Sequence, residues 1–480
     1  MTEPDGPSGP APRPSARAVA LASARVALAV TALGVAIATV GAAVILPLPR
    51  LVPTPASTVV TPVATAQSLV CPGAMLRLGD ESGTDATSAS AYGTASVQLS
   101  GDAARTALNG AGAPLALSSD AGADTVSGAQ AESLDGSGAT GLAVAACAPV
   151  SSDTWLVGGS TAVGRTTLVT LANPSDVPAV VDLALWGEEG AIQAAGASGI
   201  RVEPGSQQVV SLAGLAPDTA SPVVHVTSSG GLIVASLQET VVRGLETAGA
   251  DLVGGTAAAS QSLVIPGVVI RGSAALEARQ GADTTDASAD LATALRLFAP
   301  GGTPATVTVG IVPLAGGQTE SFEATVSAAT VLDVPLGVLD DGEYTITVTS
   351  DVPVVGAVRA STASSDDTAS GTSDVAWSVV PPRLVVPASA TVVDGPSPRL
   401  HVTNPGTDPV DVTIVDPSGT ATTQSVAGGA TTSLDAVAGG YTLSATGTIA
   451  ADVEYASDGQ LGGYAVLPAA TGADPVRVYS

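Results

Sequence analysis

The chain contains no lysine: all 16 of its basic residues are arginine. A P-loop needs a lysine ammonium for its phosphates, a Schiff-base enzyme needs an amine, and a Ser-x-x-Lys hydrolase needs its lysine base. All three chemistries are excluded. Histidine is nearly as scarce, with only His225 and His401 in 480 residues, and the only cysteines are Cys71 and Cys147. A catalytic zinc site draws on three protein ligands, usually histidines and cysteines together, and this inventory does not supply them. Aromatic residues make up 2% of the chain, so Val, Leu, Ile and Ala must fill its cores. Helical periodicity is nearly absent beyond the N-terminus. Positive charge is short as well: beyond residue 50, 12 arginines face 41 acids, and the whole chain carries −27. That surface repels nucleic acid and anionic lipid, so a nucleic-acid partner is not expected.

What the chain has instead is a recurring phrase. It reads Leu168-Val169-Thr170-Leu171-Ala172-Asn173-Pro174, then Leu295-Arg296-Leu297-Phe298-Ala299-Pro300, then Leu400-His401-Val402-Thr403-Asn404-Pro405. A second proline follows each time (Pro178, Pro304, Pro409), and a Val-rich alternating run follows that. Strand, proline turn and strand predict a hairpin-like unit. Later runs recur in the same order. Val223 to Leu237 reads as two strands about a Gly230-Gly231 turn, and Tyr344 to Val358 and Tyr441 to Tyr455 are its counterparts. The pattern predicts an all-β protein of tandem immunoglobulin-like β-sandwich modules at 153–268, 269–386 and 387–480. The closing phrase Gln261-Ser262-Leu263-Val264-Ile265-Pro266-Gly267 echoes Gln67-Ser68-Leu69-Val70-Cys71-Pro72-Gly73.

Ahead of the modules, residues 1–25 read as a disordered tail and 26–46 as an uncharged run long enough to cross a bilayer. Arg13, Arg17 and Arg25 precede that run, which places the tail in the cytoplasm and the rest outside. A cleaved signal peptide is the competing reading, but the small-x-small triplet Ala64-Thr65-Ala66 lies far past the apolar run. Residues 47–66, with five prolines, read as a stalk. Residues 67–152 form a low-complexity β region bracketed by Cys71 and Cys147, which outside the membrane most simply form one disulfide.

Few motifs carry chemistry. Gly136-Ser137-Gly138-Ala139-Thr140-Gly141 matches the dinucleotide fingerprint by letter, yet Gln130 to Gly136 is polar and does not read as a strand. Gly158-Gly159-Ser160-Thr161-Ala162 lacks the last glycine of a nucleophile elbow. His225 and His401 read as strand residues turned to solvent or a turn, and Trp155, Trp186 and Trp377 as core anchors. Asp340, Asp341 and Glu343 form a candidate calcium loop, although an acidic β-turn explains them without an ion. No cofactor is expected.

The anchor, the Cys71-Pro72-Gly73 phrase, Cys147 with Trp155-Leu156-Val157-Gly158-Gly159, and the Leu-x-x-x-Asn-Pro unit together resemble one family. It comprises uncharacterised, membrane-anchored extracytoplasmic proteins of actinobacteria, catalogued as domain of unknown function 5719. The second repeat departs from its pattern, with Ala299 where Asn is expected. The resemblance brings no activity and no site residues. The expected role is a non-enzymatic scaffold or adhesion protein of the cell envelope, held in the cytoplasmic membrane through 26–46 and meeting envelope proteins or wall glycans. The alternatives are an accessory or regulatory subunit of an envelope polysaccharide-synthesis enzyme and, further off, an unrecognised hydrolase.

Overall fold

A strand with alternating apolar residues must bury one face, and a chain built of such strands buries them by stacking sheets. The computed structural model describes residues 31, 57–60, 66–79, 88–120, 125–136, 138–282, 289–364, 372–469 and 476–479. The expected membrane span, Thr31 excepted, lies outside them. Among the described residues no helix is long and apolar enough to cross a membrane. The chain divides into two units. One is Met1–Thr61 with Pro475–Ser480, in which the stalk strand Ser57–Val60 pairs antiparallel with Val476–Tyr479. The other, Pro62–Asp474, is described from here on.

Its described residues are all-β apart from one α-helix, Ser273–Ala282, and two single turns of 3-10 helix. Sequence periodicity missed that helix, which is short and only weakly amphipathic. Residues 388–465 show the repeating topology in its plainest form. The eight strands are Ala388–Val392, Arg399–Thr403, Val410–Val415, Ala421–Val426, Thr431–Asp435, Gly439–Ala445, Ala450–Ser457 and Gln460–Ala465. One sheet takes the first, sixth, third and fourth strands in that order, and the other takes the fifth, second, seventh and eighth. Residues 153–253 and 260–379 repeat both orders. In 260–379 the sixth and seventh strands run on as one, Gly342–Ala363, which passes from one sheet to the other.

The region from Gln67 to Ala146 is a fourth, shortened copy. Gln67–Cys71, Leu115–Ser119 and Ala104–Ala107 stand as first, sixth and third strands, and Ser96–Ser100, Ser127–Asp135 and Thr140–Ala146 as second, seventh and eighth. The Gln-Ser-Leu-Val phrase opens the first strand in this copy and in 260–379. The Cys71–Cys147 disulfide closes this copy.

The topology corrects the hairpin reading. The Asn-Pro phrase joins Arg165–Asn173 to Ala179–Gly187, and these strands lie in different sheets. So do Val223–Gly230 and Val234–Arg243 on either side of the Gly-Gly turn. Both turns are corners that carry the chain across a sandwich. Alternation shows which residues share a face of a strand. It is silent on whether the next strand joins the same sheet.

Asparagine holds the corner. Asn173 is fully buried; its Nδ2 donates to the carbonyls of Val177 (2.8 Å) and Val202 (3.1 Å), and its Oδ1 accepts the N–H of Ser175 (3.0 Å). Asn404 repeats this, donating to Asp408 and Val426 and accepting the N–H of Gly406. Ala299 fills the same corner of the middle sandwich without these bonds, fully buried. Inside the sandwiches Val, Leu and Ile predominate, among them Leu171, Leu237, Val307, Ile346, Val412 and Val453, each contributing about 1.5–3 kcal/mol on full burial.

The last strands of the four copies meet one another. Thr140–Ala146 packs on Glu246–Val253, that strand on Ser373–Val379, that on Gln460–Ala465, and the last again on Thr140–Ala146. The four copies therefore close into a ring.

Candidate functional site

Most of the buried charged residues in this ring lie at the joints between copies. At its centre lies Asp374, second residue of Ser373–Val379 and almost wholly buried. Oδ2 accepts the N–H of Leu142 (2.8 Å) and of Leu461 (3.1 Å), and Oδ1 accepts those of Ala250 (3.1 Å) and Val375 (2.9 Å). One carboxylate thus takes a backbone donor from each of the four closing strands. Room for it comes from Gly141, where any side chain would collide with Asp374 Oδ1. Burial pushes the Asp374 carboxyl up to about 8 against the pull of these four donors. Two further acids surround the adjacent Trp377. Asp251 accepts its backbone N–H (2.7 Å) and Glu239 its indole N–H (2.7 Å), and burial raises both carboxyls.

The second joint is made by Arg296, second residue of the recurring phrase in its copy, with a fully buried side chain. Nε and Nη2 form a fork on Asp333 (2.7 and 2.9 Å). Nη1 donates to the carbonyls of Gly159 and Pro222, and Nη2 also to that of Ala220. All five guanidinium hydrogens are thereby used, three of them on the neighbouring sandwich. The guanidinium carbon lies 4.5 Å from the Trp377 ring centroid, a cation–π contact. Burial opposes ionisation of Asp333, but Arg296 outweighs it and holds the carboxyl below its usual range.

His401 occupies the matching position in the last copy. It is fully buried, which corrects the expectation of a solvent-facing side chain. Leu400 and Val402 point into their own sandwich and His401 to the outer face, and the preceding copy covers that face. Nε2 lies 3.0 Å from Glu343 Oε2 of that copy, and Nδ1 lies 3.6 Å from Asp452 Oδ1. Gly267, at φ +65°, leaves the space that His401 and Asp452 fill. Burial raises Asp452 to about 7 although His401 pulls the other way, and burial together with the Asp452 charge lifts Glu454 well above the carboxylate range. Burial works against ionisation of Glu343 too, but there His401 and Arg399 win and the carboxyl is lowered.

Beside this cluster a cleft of about 380 Å³ opens between the last two copies. Glu343 and Arg399 form an ion pair on one wall, Nε to Oε1 2.8 Å, and Glu454 and Arg271 also line the cleft. Val269, Ala436 and Ala456 supply apolar lining. Ser397, at its rim, has φ +44°, an uncommon backbone conformation for a residue with a side chain.

The residues singled out in the sequence go to separate places. Asp341 accepts the N–H groups of Gly272 and Ser273 at the start of the helix, whereas Glu343 turns to His401 and Arg399. Asp340 offers its backbone carbonyl to the Tyr344 hydroxyl. Among the described residues no group of three His, Cys, Asp or Glu is placed to hold a metal ion. His225 is partly exposed, stacks on Trp155 at 4.0 Å and meets Asp153 at 3.0 Å. Both ring nitrogens of His401 face carboxylates. Trp377 is a core residue as expected, while Trp155 and Trp186 are only partly buried, against Phe298 of the next copy.

The dinucleotide-like stretch is corrected in one respect. Ser127–Asp135 is a strand, and its polar residues are structural: Gln130 clasps both backbone groups of Gly73, and Glu132 accepts the N–H of Met75. Gly136 and Gly138 lie between that strand and Thr140–Ala146, Gly141 lies within the latter, and no helix follows to receive a pyrophosphate.

Sequence reasoning missed Asp374, Arg296 with Asp333, Asp452 and Glu454. The one available signal was a charged residue on an otherwise apolar strand, as in Leu295-Arg296-Leu297 or Ala451-Asp452-Val453-Glu454.

Comparison with known proteins adds a family and little else. The profile described as "Family of unknown function (DUF5719)" matches residues 102–437. No curated protein matches. Among solved structures, Thermotoga maritima 1070 is similar at 15% identity over 25% of this chain and 92% of its own, with a TM-score of 0.19. A tetra-tandem repeat from the extending region of a large adhesion protein is similar at 12% identity, over 85% and 93%, with a TM-score of 0.12. Neither score carries an argument.

Proposed function

The chain belongs to the DUF5719 family of unknown function, and from that premise we propose that it is a non-enzymatic, membrane-anchored scaffold of the cell envelope that presents binding surfaces as one rigid body. The observation that carries this reading is the centre of the ring. Four sandwiches joined by linkers alone would swing as beads. Here Asp374 ties all four, and Arg296 and His401 lock neighbouring pairs. Such a body holds distant surfaces in fixed register, which is what a scaffold requires. The two-sheet copies, with their shared strand order, are read as immunoglobulin-like sandwiches. The disulfide fits an oxidising compartment, and residues 26–46 supply the anchor.

The test is cellular. Fractionation should place the full chain in the membrane, and an impermeant protease should remove everything beyond the span from intact protoplasts. A pull-down from solubilised membranes should recover an envelope protein or wall polymer. A cytosolic chain, or a pull-down with neither kind of partner, would sink the reading.

A further inference from the structure

His401 meets a carboxylate at each ring nitrogen, and the two contacts differ. Nε2 lies 3.0 Å from Glu343 Oε2 of the third copy. Burial opposes the charge of Glu343, but His401 and Arg399 outweigh it, so the group is ionised. An ionised carboxylate only accepts, which puts a hydrogen on Nε2. On the other side, Nδ1 faces Asp452 Oδ1 at 3.6 Å. Both atoms are shut off from solvent, and among the described residues neither has a hydrogen-bond partner. With its one hydrogen on Nε2, a neutral imidazole turns a lone pair toward the lone pairs of Asp452. Water cannot relieve this contact. The atoms are too close to be bridged, and Gly267 of the third copy closes the space so tightly that a Cβ there would collide with His401 Nδ1 and Asp452 Oδ2. A proton is small enough.

The surrounding charges leave that proton no substitute. Along the same strand, Glu454 hydrogen-bonds Asp452 and takes the Ser378 hydroxyl, and Asp251 of the second copy adds negative charge to Glu454. Arg399 is spent on Glu343 and Asp435. Ser260–Ile270 and Gln460–Ala465 pack on this strand as well. The first has no titratable side chain, and the second has only Tyr464, whose hydroxyl turns to Tyr455 and Thr391. We propose that this joint is a proton-held latch: the third and last copies stay locked while one proton is shared between His401 Nδ1 and Asp452 Oδ1, and the joint loosens when that proton leaves. Burial pushes Asp452 up to about 7 although His401 pulls the other way, so the latch is closed in mildly acidic surroundings and opens as the pH rises through that value. The Arg296 joint has no such dependence, because a guanidinium keeps its charge throughout this range. Asp374, pushed by burial to about 8, also loses its proton, yet the ionised carboxylate still accepts its four N–H groups. The latch rests on the scaffold reading for its purpose, which is to regulate one joint of the ring.

The experiment is hydrogen–deuterium exchange on the full chain in detergent at pH 6 and pH 8.5, each rate divided by the intrinsic rate at that pH. Protection of Arg399–Thr403 and Ala450–Ser457 should fall at least about tenfold between the two, while Ala294–Phe298, which carries Arg296, should change less than about twofold. Asp452→Asn supplies an amide hydrogen that does not titrate, so both strands should stay protected at pH 8.5. His401→Gln should show one lowered level of protection at both pH values, and it decides the matter if the first variant does not fold. Equal protection at the two pH values in the parent, an equal loss at Ala294–Phe298, or a full pH step that persists in either variant would overturn the proposal. Exchange reads the joint and a pull-down reads partners, so the latch can fail while the scaffold stands, and the reverse.

Discussion

Asp374 accepts the backbone N–H of Leu142 at 2.8 Å, although 232 residues separate them in the chain. That bond joins the first copy to the third across the centre of the ring. The same carboxylate holds Ala250 and Leu461, so a single side chain closes an assembly of four.

Asp374→Asn keeps the shape but replaces one accepting oxygen by an amide that donates. Two of the four N–H groups then face a donor in a dry site. Each orphaned group costs about 1–3 kcal/mol, so a loss of about 2–6 kcal/mol is expected from urea unfolding. A loss below about 1 kcal/mol would show that the strands hold together without this residue.

Arg296→Met removes the fork on Asp333, leaves that carboxylate with only Ser221 and the more distant Arg359, and strips three carbonyls of the Arg296 donor. Breaking a buried pair in this way costs about 3–5 kcal/mol. Arg296→Lys should fall between parent and Met, because an ammonium has three donors where the guanidinium has five. Unfolding curves for the two variants that coincide would rule out hydrogen-bond count as the reason.

Asn173→Ala and Asn404→Ala should each destabilise by about 1–3 kcal/mol through the carbonyls left unpaired at the corner. The middle copy manages with Ala299, so neither variant should unfold the protein outright. Circular dichroism melts can decide; a neutral result at both positions would mean the proline turn alone fixes the corner.

Stability should fall as pH rises from about 5 to about 8. Asp374 and Asp452, at about 8 and about 7 in the fold, start from 3.8 when unfolded, so the folded state holds extra protons between those limits. Groups of this kind stabilise fully below the unfolded value and lose their contribution as pH climbs through the folded one, at no more than about 1.4 kcal/mol per pH unit each. Asp333 and Glu343 are lowered and act oppositely, but their effect is confined to pH below the ordinary carboxylate range. Urea midpoints at pH 5, 6, 7 and 8 measure the trend. A flat or rising series contradicts it, and Asp374→Asn should make the fall shallower while the contribution of Asp452 remains.

Reducing Cys71–Cys147 should cost about 4 kcal/mol, since the bridge joins residues 76 positions apart in the chain. Urea unfolding with and without reductant gives the difference directly. Two free thiols in the native protein would remove the premise.

Much of the fold was legible because it is written in side-chain pattern. Leu168, Leu295 and Leu400 announce three copies, and Gln67-Ser68-Leu69-Val70 hinted at the fourth. The joints were not legible. Arg296 and His401 each stand between two inward-facing apolar residues, and only the neighbouring copy turns their side of the strand into an interior. The cleft at Arg271 was equally hidden, since its walls come from residues up to 187 positions apart.

By itself the sequence determined the strands, the recurrence of the sandwich and, with only two cysteines present, the identity of the disulfide. Alternation and composition suffice for these, because each is a property of which residues share a face. Only the tertiary structure decided that the copies close into a ring, and that an aspartate sits at its centre. The groups that close it are backbone N–H donors, which every residue but proline carries and which therefore leave no mark on the sequence.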